Sequence, residues 1–495
     1  MLAALSLATF ALPALAAVKQ LPPIPTDLST PVQQRLAFQG PTAMAVGWNT
    51  YKQLSAPTVH YGTSPTSLNS TASSASSVTY KTSRTWANSV LISGLQPATT
   101  YYYKIDSTNS SIDSFVTARK AGDTSPFTVA AVIDMGVFGA DGVTVKKRDA
   151  IPAIDPALNH TTIGRLFDTA ADYDFVIHPG DLAYADDWIV SDPLGVLSES
   201  DIYEGLVEQF FNELASVSRM KPYMVSPGNH EADCVEVPLF PCVTGQTNFT
   251  GYVNRFGNIL PAASSSPSTS SVVAARRKRA AAASLAQPPF WYSFDYGMAH
   301  FVMIDTETDL GKGLVGPEEK GGSQNLVNGP FGAQNQQIQF LQADLASVDR
   351  TITPWIIVAG HRPWYTDGTA CTVCQTAFEP IFNQYGVDLA VFGHVHNMQL
   401  IAPITNGTVD PAGLNNPTSP WYIVNGAAGN VEGFSSLSSS PPSYVTWAND
   451  NLYGFSKLLF HNRTNLEVQF ISSTDGALLK SATLYKSHTT AFVGS

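Results

Sequence analysis

The sequence predicts an α/β layered domain, β-sheets flanked by helices, preceded by a small all-β sandwich. Short strand-like runs at close spacing, with no helical periodicity between them, fill the first quarter of the chain. From Phe127 onward, apolar runs of buried-strand length alternate with amphipathic helical stretches, and polar clusters stand immediately past five of those runs. The 495 residues, 44% of them hydrophobic, suffice for two or three domains with a large core. A net charge of −12 argues against nucleic acid or an acidic membrane as the main partner, since phosphate backbones recruit basic surfaces.

In chain order, Met1 to about Ala17 is an apolar run with Pro13 and an Ala14-Leu15-Ala16 ending. It fits a secretion signal over 1–17, although it lacks the positively charged start. No later stretch reaches the ~20 apolar residues of a membrane span, so the mature protein is expected to be soluble and exported. Asn-x-Ser/Thr sequons at Asn69, Asn109, Asn159, Asn248, Asn406 and Asn462 are then candidate glycan sites, against the alternative of chance triplets in a Ser/Thr-rich chain. Four cysteines permit three connectivities, and proximity favours Cys234 with Cys242 and Cys371 with Cys374. A zinc site at Cys371-x-x-Cys374 lacks a second matching pair.

Residues 18–121 form the expected sandwich. Its strands include Arg35-Leu36-Ala37-Phe38, Ala43 to Trp48, Thr58 to Tyr61, Ser89 to Ile92 and Thr100 to Ile105. It holds no cluster of His, Asp or Glu, which suits a packing or spacer role. The α/β part, from 122, carries predicted strands Phe127 to Ile133, Phe175 to His178, Tyr223 to Ser226, His300 to Ile304, Trp355 to Ala359, Val387 to Phe392 and Trp421 to Val424. Two helices are expected, Ile202 to Val217 and Gln336 to Val348, each with one apolar stripe that faces the core. Residues 262–287, Ser/Ala-rich with the basic run Arg276-Arg277-Lys278-Arg279, are expected to be a flexible surface insertion. The run is equally a processing-protease site or a solvated charge run.

The chemistry collects at the ends of the apolar runs: Asp134-Met135-Gly136, Gly180-Asp181-Leu182-Ala183-Tyr184, Gly228-Asn229-His230-Glu231, Gly360-His361 and Gly393-His394-Val395-His396. Singly, each has a plain alternative as a helix cap, a core histidine or a turn. Five in order, each past a strand, can converge at the carboxyl edge of a sheet. Gly393 is expected to permit the last turn by tolerating positive φ. Mixed oxygen and imidazole donors suit iron, manganese or zinc, and two such ions about 3.5–4 Å apart clamp the attacking and leaving oxygens of a phosphoryl displacement.

The ordered set Asp-x-Gly, Gly-Asp-x-x-Tyr, Gly-Asn-His-Glu, Val-x-x-His and Gly-His-x-His resembles the purple acid phosphatases of the metallophosphoesterase superfamily, in a secreted, fungal-like form. The resemblance spans nearly the whole mature chain. Tyr61-Gly62-Thr63-Ser64-Pro65 and Leu95 to Tyr103 resemble the family's fibronectin-III-like domain. Residues 122–400 match its catalytic domain, and 401–495, with Gly429-Asn430-Val431-Glu432-Gly433 and Tyr453-Gly454-Phe455, its C-terminal part. The resemblance implies an acid phosphatase in which Asp134, Asp181, Tyr184 and His396 hold Fe(3+). Asn229, His361 and His394 then hold a divalent ion, Fe, Zn or Mn, with Asp181 bridging. It implies hydrolysis of small-molecule phosphate monoesters by a metal-bound hydroxide. His230 then serves as phosphate donor or proton source, with simple packing as its alternative, and Glu231 orients a neighbour.

The chain also departs from the family's plant-type pattern. Arg362-Pro363-Trp364-Tyr365 follows His361 where further histidines are common, and no histidine appears until His394, which leaves His230 or a bound water as leaving-group acid. Asn397-Met398-Gln399 replaces an aromatic-Glu-Arg run. A phosphodiesterase or phytase acting through the same ligands is a second enzyme reading, with phytate among the substrates. A cytosolic protein phosphatase shares Gly-Asn-His-Glu but not Tyr184, and a secreted adhesion module with vestigial metals is the non-enzymatic alternative.

Overall fold

A computed structural model describes residues 22–137, 161–187, 199–234, 242, 245–263, 273–310 and 332–489. The 1–17 signal, the sequon at Asn159 and insertion residues 264–272 lie outside the described residues. The first domain comprises β1 (Val32–Phe38), β2 (Ala43–Thr50), β3 (Thr58–Gly62), β4 (Ser70–Ser73), β5 (Ser77–Val78), β6 (Trp86–Ser93), β7 (Thr100–Ile105) and β8 (Asp113–Val116). They make two antiparallel sheets, ordered β1-β2-β6-β5 and β4-β3-β7-β8. Strand β2 is buried along its whole length, and Phe38 of β1 meets Phe175 edge-on at 5.3 Å, so this domain is built into the next one.

The second part follows as β9 (Phe127–Ala131), α1 (Thr162–Asp168), β10 (Phe175–Pro179), α2 (Glu199–Ser218), β11 (Tyr223–Ser226), α3 (Thr250–Phe256), α4 (Val273–Leu285), β12 (Tyr292–Tyr296), β13 (Ala299–Met303) and α5 (Gln336–Leu345). Next come β14 (Trp355–Ala359), α6 (Thr372–Tyr385), β15 (Leu389–Phe392), β16 (Met398–Ile401), the hairpin β17 (Ile404–Thr405) and β18 (Thr408–Val409), β19 (Trp421–Asn425), β20 (Val445–Asn449), β21 (Gly454–Phe460), β22 (Asn465–Ser472) and β23 (Leu478–Tyr485). One six-stranded sheet runs β11-β10-β9-β21-β22-β23, and one seven-stranded sheet runs β12-β13-β14-β15-β19-β16-β20. Both are mixed, with β9, β10 and β11 parallel in the first and β13, β14, β15 and β19 parallel in the second. The C-terminal strands β21 to β23, which the sequence reading left unassigned, complete the first sheet.

Aromatic side chains join the two sheets. Phe301 of the second sheet meets Phe460 at 5.8 Å and Phe175 at 5.4 Å, both of the first, where Phe127 stacks on Phe460 at 4.3 Å. Burying each such ring contributes about 1.5–3 kcal/mol. The expected apolar stripe of α2, Ile202, Leu206, Phe210, Leu214 and Val217, is buried as its period requires. The residues expected to form a flexible insertion correct that expectation, because 273–285 form α4, packed against α5 with Ala282 fully buried. Its alanine-rich, Arg/Lys-containing sequence is a strong helix former, a tendency that composition alone concealed.

The sandwich grips α2 through buried charge. Arg84 Nε donates to Glu208 at 2.9 Å, and Tyr80 and Thr82 hydroxyls each donate to Glu204 at 2.6 Å. A second network ties β12, β13 and α5 together. His300 Nδ1 lies 2.6 Å from Asp295 Oδ1, its Nε2 lies 2.8 Å from Asp344 Oδ2, and Ser293 donates to Asp344 at 2.7 Å.

Burial alone would lower the pKa of His300, but Asp344 and Asp295 outweigh it and push it up to about 10. The stabilisation from this network is therefore complete below the ordinary imidazole value of 6.5 and is lost as pH rises through about 10. Replacing His300 by Leu strands two buried carboxylates and should cost about 3–5 kcal/mol. Thermal unfolding at pH 6 should show the loss, and the variant should lack the wild type's decline in stability near pH 10.

Candidate metal centre

The carboxyl ends of the parallel strands in both sheets open onto one edge. Asp134 follows β9, Asp181 and Tyr184 follow β10, Asn229 and His230 follow β11, His361 follows β14, and His394 and His396 follow β15. Backbone bonds lace these ends together, with Met135 N–H donating to Asp181 O at 3.1 Å and Gly393 N–H to His361 O at 2.9 Å. Asp134, Asp181, Tyr184 and His394 all take positive φ, between 51° and 64°, a conformation that costs non-glycine residues energy and turns each side chain out of its strand direction.

Gly393 itself does not have positive φ, which corrects the expected reason for it. A Cβ there would lie 2.2 Å from Asp134 Oδ2, so the requirement is close approach, and the left-handed residue is His394. Gly228 is constrained the same way, its Cβ position being 2.2 Å from Asp181 Oδ1.

The structure brings all seven sequence-predicted ligands together. Tyr184 Oη donates to Asp134 Oδ1 at 3.0 Å and lies 3.3 Å from Asp181 Oδ2 and 2.9 Å from His396 Nε2. His361 Nε2 lies 2.9 Å from Asp181 Oδ2 and 3.1 Å from Asn229 Oδ1. Among these seven residues, two groups of ligand atoms meet the spacing of an ion site, Asp134 with Asp181 and His396, and Asp181 with His361 and His394, so Asp181 belongs to both. Rings are aimed from behind: His361 Nδ1 is 3.3 Å from Pro179 O and His396 Nδ1 is 3.1 Å from Gly433 O, which leaves each Nε2 facing the cluster.

The donor chemistry fits two cations. Two carboxylates and a phenol crowd one side, which suits a highly charged ion, while an amide and two imidazoles on the other suit a divalent one. Burial and the neighbouring Asp181 hold the Asp134 carboxyl well above its usual range, whereas at Asp181 the effect of burial is outweighed by His361 and His230, which hold it well below. Burial, then Asp134 and Asp181, keep the Tyr184 phenol well above its ordinary value. Burial pushes His394 well below the ordinary imidazole value and His396 down to about 4, whereas at His361 the effect of burial is outweighed by Asp181 and Asp134, which push it up to about 9.

His230 lies against this centre. Its backbone N–H donates to Asp181 Oδ1 at 3.0 Å, its ring lies 4.0 Å from that of Tyr184, and its Nε2 is 3.8 Å from Asp181 Oδ2. Nδ1 sits 2.9 Å from both oxygens of Asp186. Burial would lower its pKa, but Asp186 and Asp181 raise it well above the ordinary value. Glu231 collects the backbone N–H groups of Asp181, Leu182 and Gly228 at 2.8–2.9 Å.

Asp186 was missed in the sequence because it stands in an unremarked turn two residues past Tyr184. Glu307 was missed in Asp305-Thr306-Glu307, although that triplet follows β13 just as the other clusters follow their strands. It is bound at both oxygens by Arg362 Nε, each at 2.9 Å. Asn397 and Gln399 tie neighbouring loops down, Gln399 Nε2 donating to Thr366 at 2.9 Å and Asn397 Nδ2 to Ser435 O at 3.1 Å. Both expected disulfides are formed, Cys234–Cys242 and Cys371–Cys374.

Comparison with known proteins adds three domain matches. Residues 31–117 match the purple acid phosphatase N-terminal domain, 157–398 the calcineurin-like phosphoesterases, and 419–481 the iron/zinc purple acid phosphatase-like protein C family. The chain is 52% identical to "Acid phosphatase A" of Cryphonectria parasitica over 95% of both chains. It is 32% identical to "Acid phosphatase" of Aspergillus ficuum, over 87% of this chain and 82% of that one. In fold it is similar to a purple acid phosphatase, PPD1, from yellow lupin seeds (Lupinus luteus), with TM-score 0.68 and 22% identity over 94% of this chain and 77% of that one.

Replacing Gly393 by Ala should push Asp134 out of the cluster. The purified variant should keep its circular dichroism spectrum and hold roughly a tenth or less of the wild-type metal. Wild-type metal content in the variant would contradict the close-approach explanation.

Proposed function

The chain belongs to the purple acid phosphatase family, a family of metal-dependent phosphoester hydrolases, and on that premise we propose how its buried centre hydrolyses phosphate monoesters. The observation that carries the reading is the convergence of seven potential ligands in two groups that share Asp181. In this reading Asp134, Asp181, Tyr184 and His396 would hold a ferric ion. Asn229, His361 and His394, with Asp181 between, would hold a divalent iron, zinc or manganese. Such ions bring the pKa of water into a range where it is a nucleophile and offset the charge of the phosphoryl oxygens.

The protein's own groups do the rest. His230 is the proton donor, because Asp186 fixes Nδ1 and turns Nε2 toward the centre, and because the paired carboxylates keep the ring protonated in acid. Glu231 keeps the Asp181 and Leu182 backbone in place, so the shared carboxylate cannot swing away.

We also read the protein as exported and glycosylated. Asn69, Asn109, Asn248, Asn406 and Asn462 are all exposed, and two closed disulfides suit an oxidising compartment. Among the described residues no helix is long and apolar enough to cross a membrane.

Rates on a monoester, a diester and inositol hexakisphosphate, measured beside metal content, test the activity, with the monoester expected to lead in acid. Failure to hydrolyse any monoester with two ions bound would sink the proposal. His230→Ala should lower kcat on the monoester by about 10²–10⁴ while metal content stays the same. Tyr184→Phe should abolish the visible phenolate-to-iron absorption, and a variant that keeps its colour would remove Tyr184 from the ferric side.

A further inference from the structure

Asp134 and His396 follow strands of different sheets, yet one stretch of chain holds both. Residues 425–435 leave β19 in the second sheet and cross onto the end of β9 in the first. Asn425 Nδ2 donates to Ala131 O at 3.1 Å, Ala428 N–H to Ile133 O at 3.3 Å, and Asn430 Nδ2 to Asp134 O at 3.4 Å. The stretch is fastened from behind as well, because Gly454 N–H of β21 donates to Ala427 O at 2.8 Å and Thr162 Oγ1 of α1 to Ala428 O at 2.6 Å. Its position is therefore tied to that of β9.

Asn430 works in both directions. Its Nδ2 reaches the backbone of Asp134, while its Oδ1 accepts the Glu432 N–H at 3.0 Å and its backbone O accepts the Gly433 N–H at 3.3 Å. The last two bonds close a turn over 430–433, in which Gly433 takes φ 78°. That turn delivers acceptors to the far nitrogen of His396, with Gly433 O 3.1 Å and Glu432 Oε2 3.5 Å from Nδ1. A carbonyl can only accept, so Nδ1 carries the proton and the Nε2 lone pair stays open to an ion. At Asp134 the amide meets the main-chain oxygen and takes neither carboxylate oxygen. Asn430 is 1% exposed, so it acts through these two residues and not on substrate.

We propose that Asn430 is a positioning residue that sets Asp134 and His396 relative to one another and, through them, how firmly the ferric side keeps its ion. The proposal rests on the two-ion reading above. Groups that orient metal ligands typically matter by 10- to 100-fold in metal affinity. The effect falls on the ferric ion, because Asn430 bonds to Asp134 and to the turn behind His396.

The test compares wild type with Asn430→Ala, Asn430→Ser and Asn425→Ala, each loaded with iron and a divalent ion and then dialysed against a chelator. A serine hydroxyl can still accept the Glu432 N–H but is too short to reach Asp134 O. Asn425→Ala removes a tie between the sheets that ends on Ala131, which is not a ligand. Elemental analysis follows each ion, the phenolate-to-iron absorption reports the surroundings of the ferric ion, and thermal melting follows the fold. Asn430→Ala should release iron about 10- to 100-fold faster with its absorption band shifted, and Asn430→Ser should fall between it and wild type. Asn425→Ala should melt earlier yet keep the wild-type band and iron release. Wild-type release with an unshifted band in Asn430→Ala would overturn the proposal. Equal iron loss from Asn425→Ala would also overturn it, since general docking of the sheets would then account for the effect. Should Asn430→Ala not fold, Asn430→Ser carries the same comparison. A wild type with no phenolate-to-iron band would overturn the ferric reading and the proposal with it, a result separable from any difference among variants.

Discussion

Two carboxylates with no exposure to water, Asp134 and Asp181, face one phenol at 3.0 and 3.3 Å, and this crowding of potential anions is what the rest of the structure serves. Two unit charges 4 Å apart repel by about 4 kcal/mol even at the effective dielectric of a protein surface. Burial and the neighbouring Asp181 hold the Asp134 carboxyl well above its usual range, and burial with both carboxylates does the same to the Tyr184 phenol, which donates to Asp134. A site arranged in this way gains from cation binding what it spends in assembling like charges, so metal affinity and fold are coupled.

Support for the crowding comes from far along the chain. Glu231, from the first sheet, gathers three backbone N–H groups and fixes the turn that carries Asp181. Gly393, from the second sheet, leaves room for the Asp134 carboxylate. Even the N-terminal sandwich takes part: its Arg84, Tyr80 and Thr82 hold Glu208 and Glu204 of α2, and α2 packs against the turn 185–187 that supplies Asp186 to His230. The sandwich thus bears on the orientation of His230. The spacer role suggested by its composition covers only part of this contribution.

What could be read from the sequence was whatever a repeating physical pattern advertises. Buried strands announce themselves as apolar runs, and a polar cluster just past each run marks the sheet edge, so Asp134, Asp181, Tyr184, Asn229, His361, His394 and His396 were all visible in one dimension. Partners chosen by three-dimensional proximity carry no such signal. Asp186 is one acidic residue among several, and Glu307 acquires meaning only when Arg362, 55 residues away, closes on it. The helix α4 was hidden because low complexity reads as disorder while alanine content favours helix. Strands β21 to β23 escaped because their antiparallel pairing onto β9 breaks the strand-helix alternation used to trace the domain.

Anomalous X-ray diffraction from crystals of the purified protein, collected on either side of the iron edge, tests the central claim most directly. The account predicts two metal peaks about 3.5–4 Å apart, an iron peak among Asp134, Tyr184 and His396 and a second among Asn229, His361 and His394, with Asp181 reaching both. A single peak, or none, in protein that hydrolyses a phosphate monoester at full rate would contradict it.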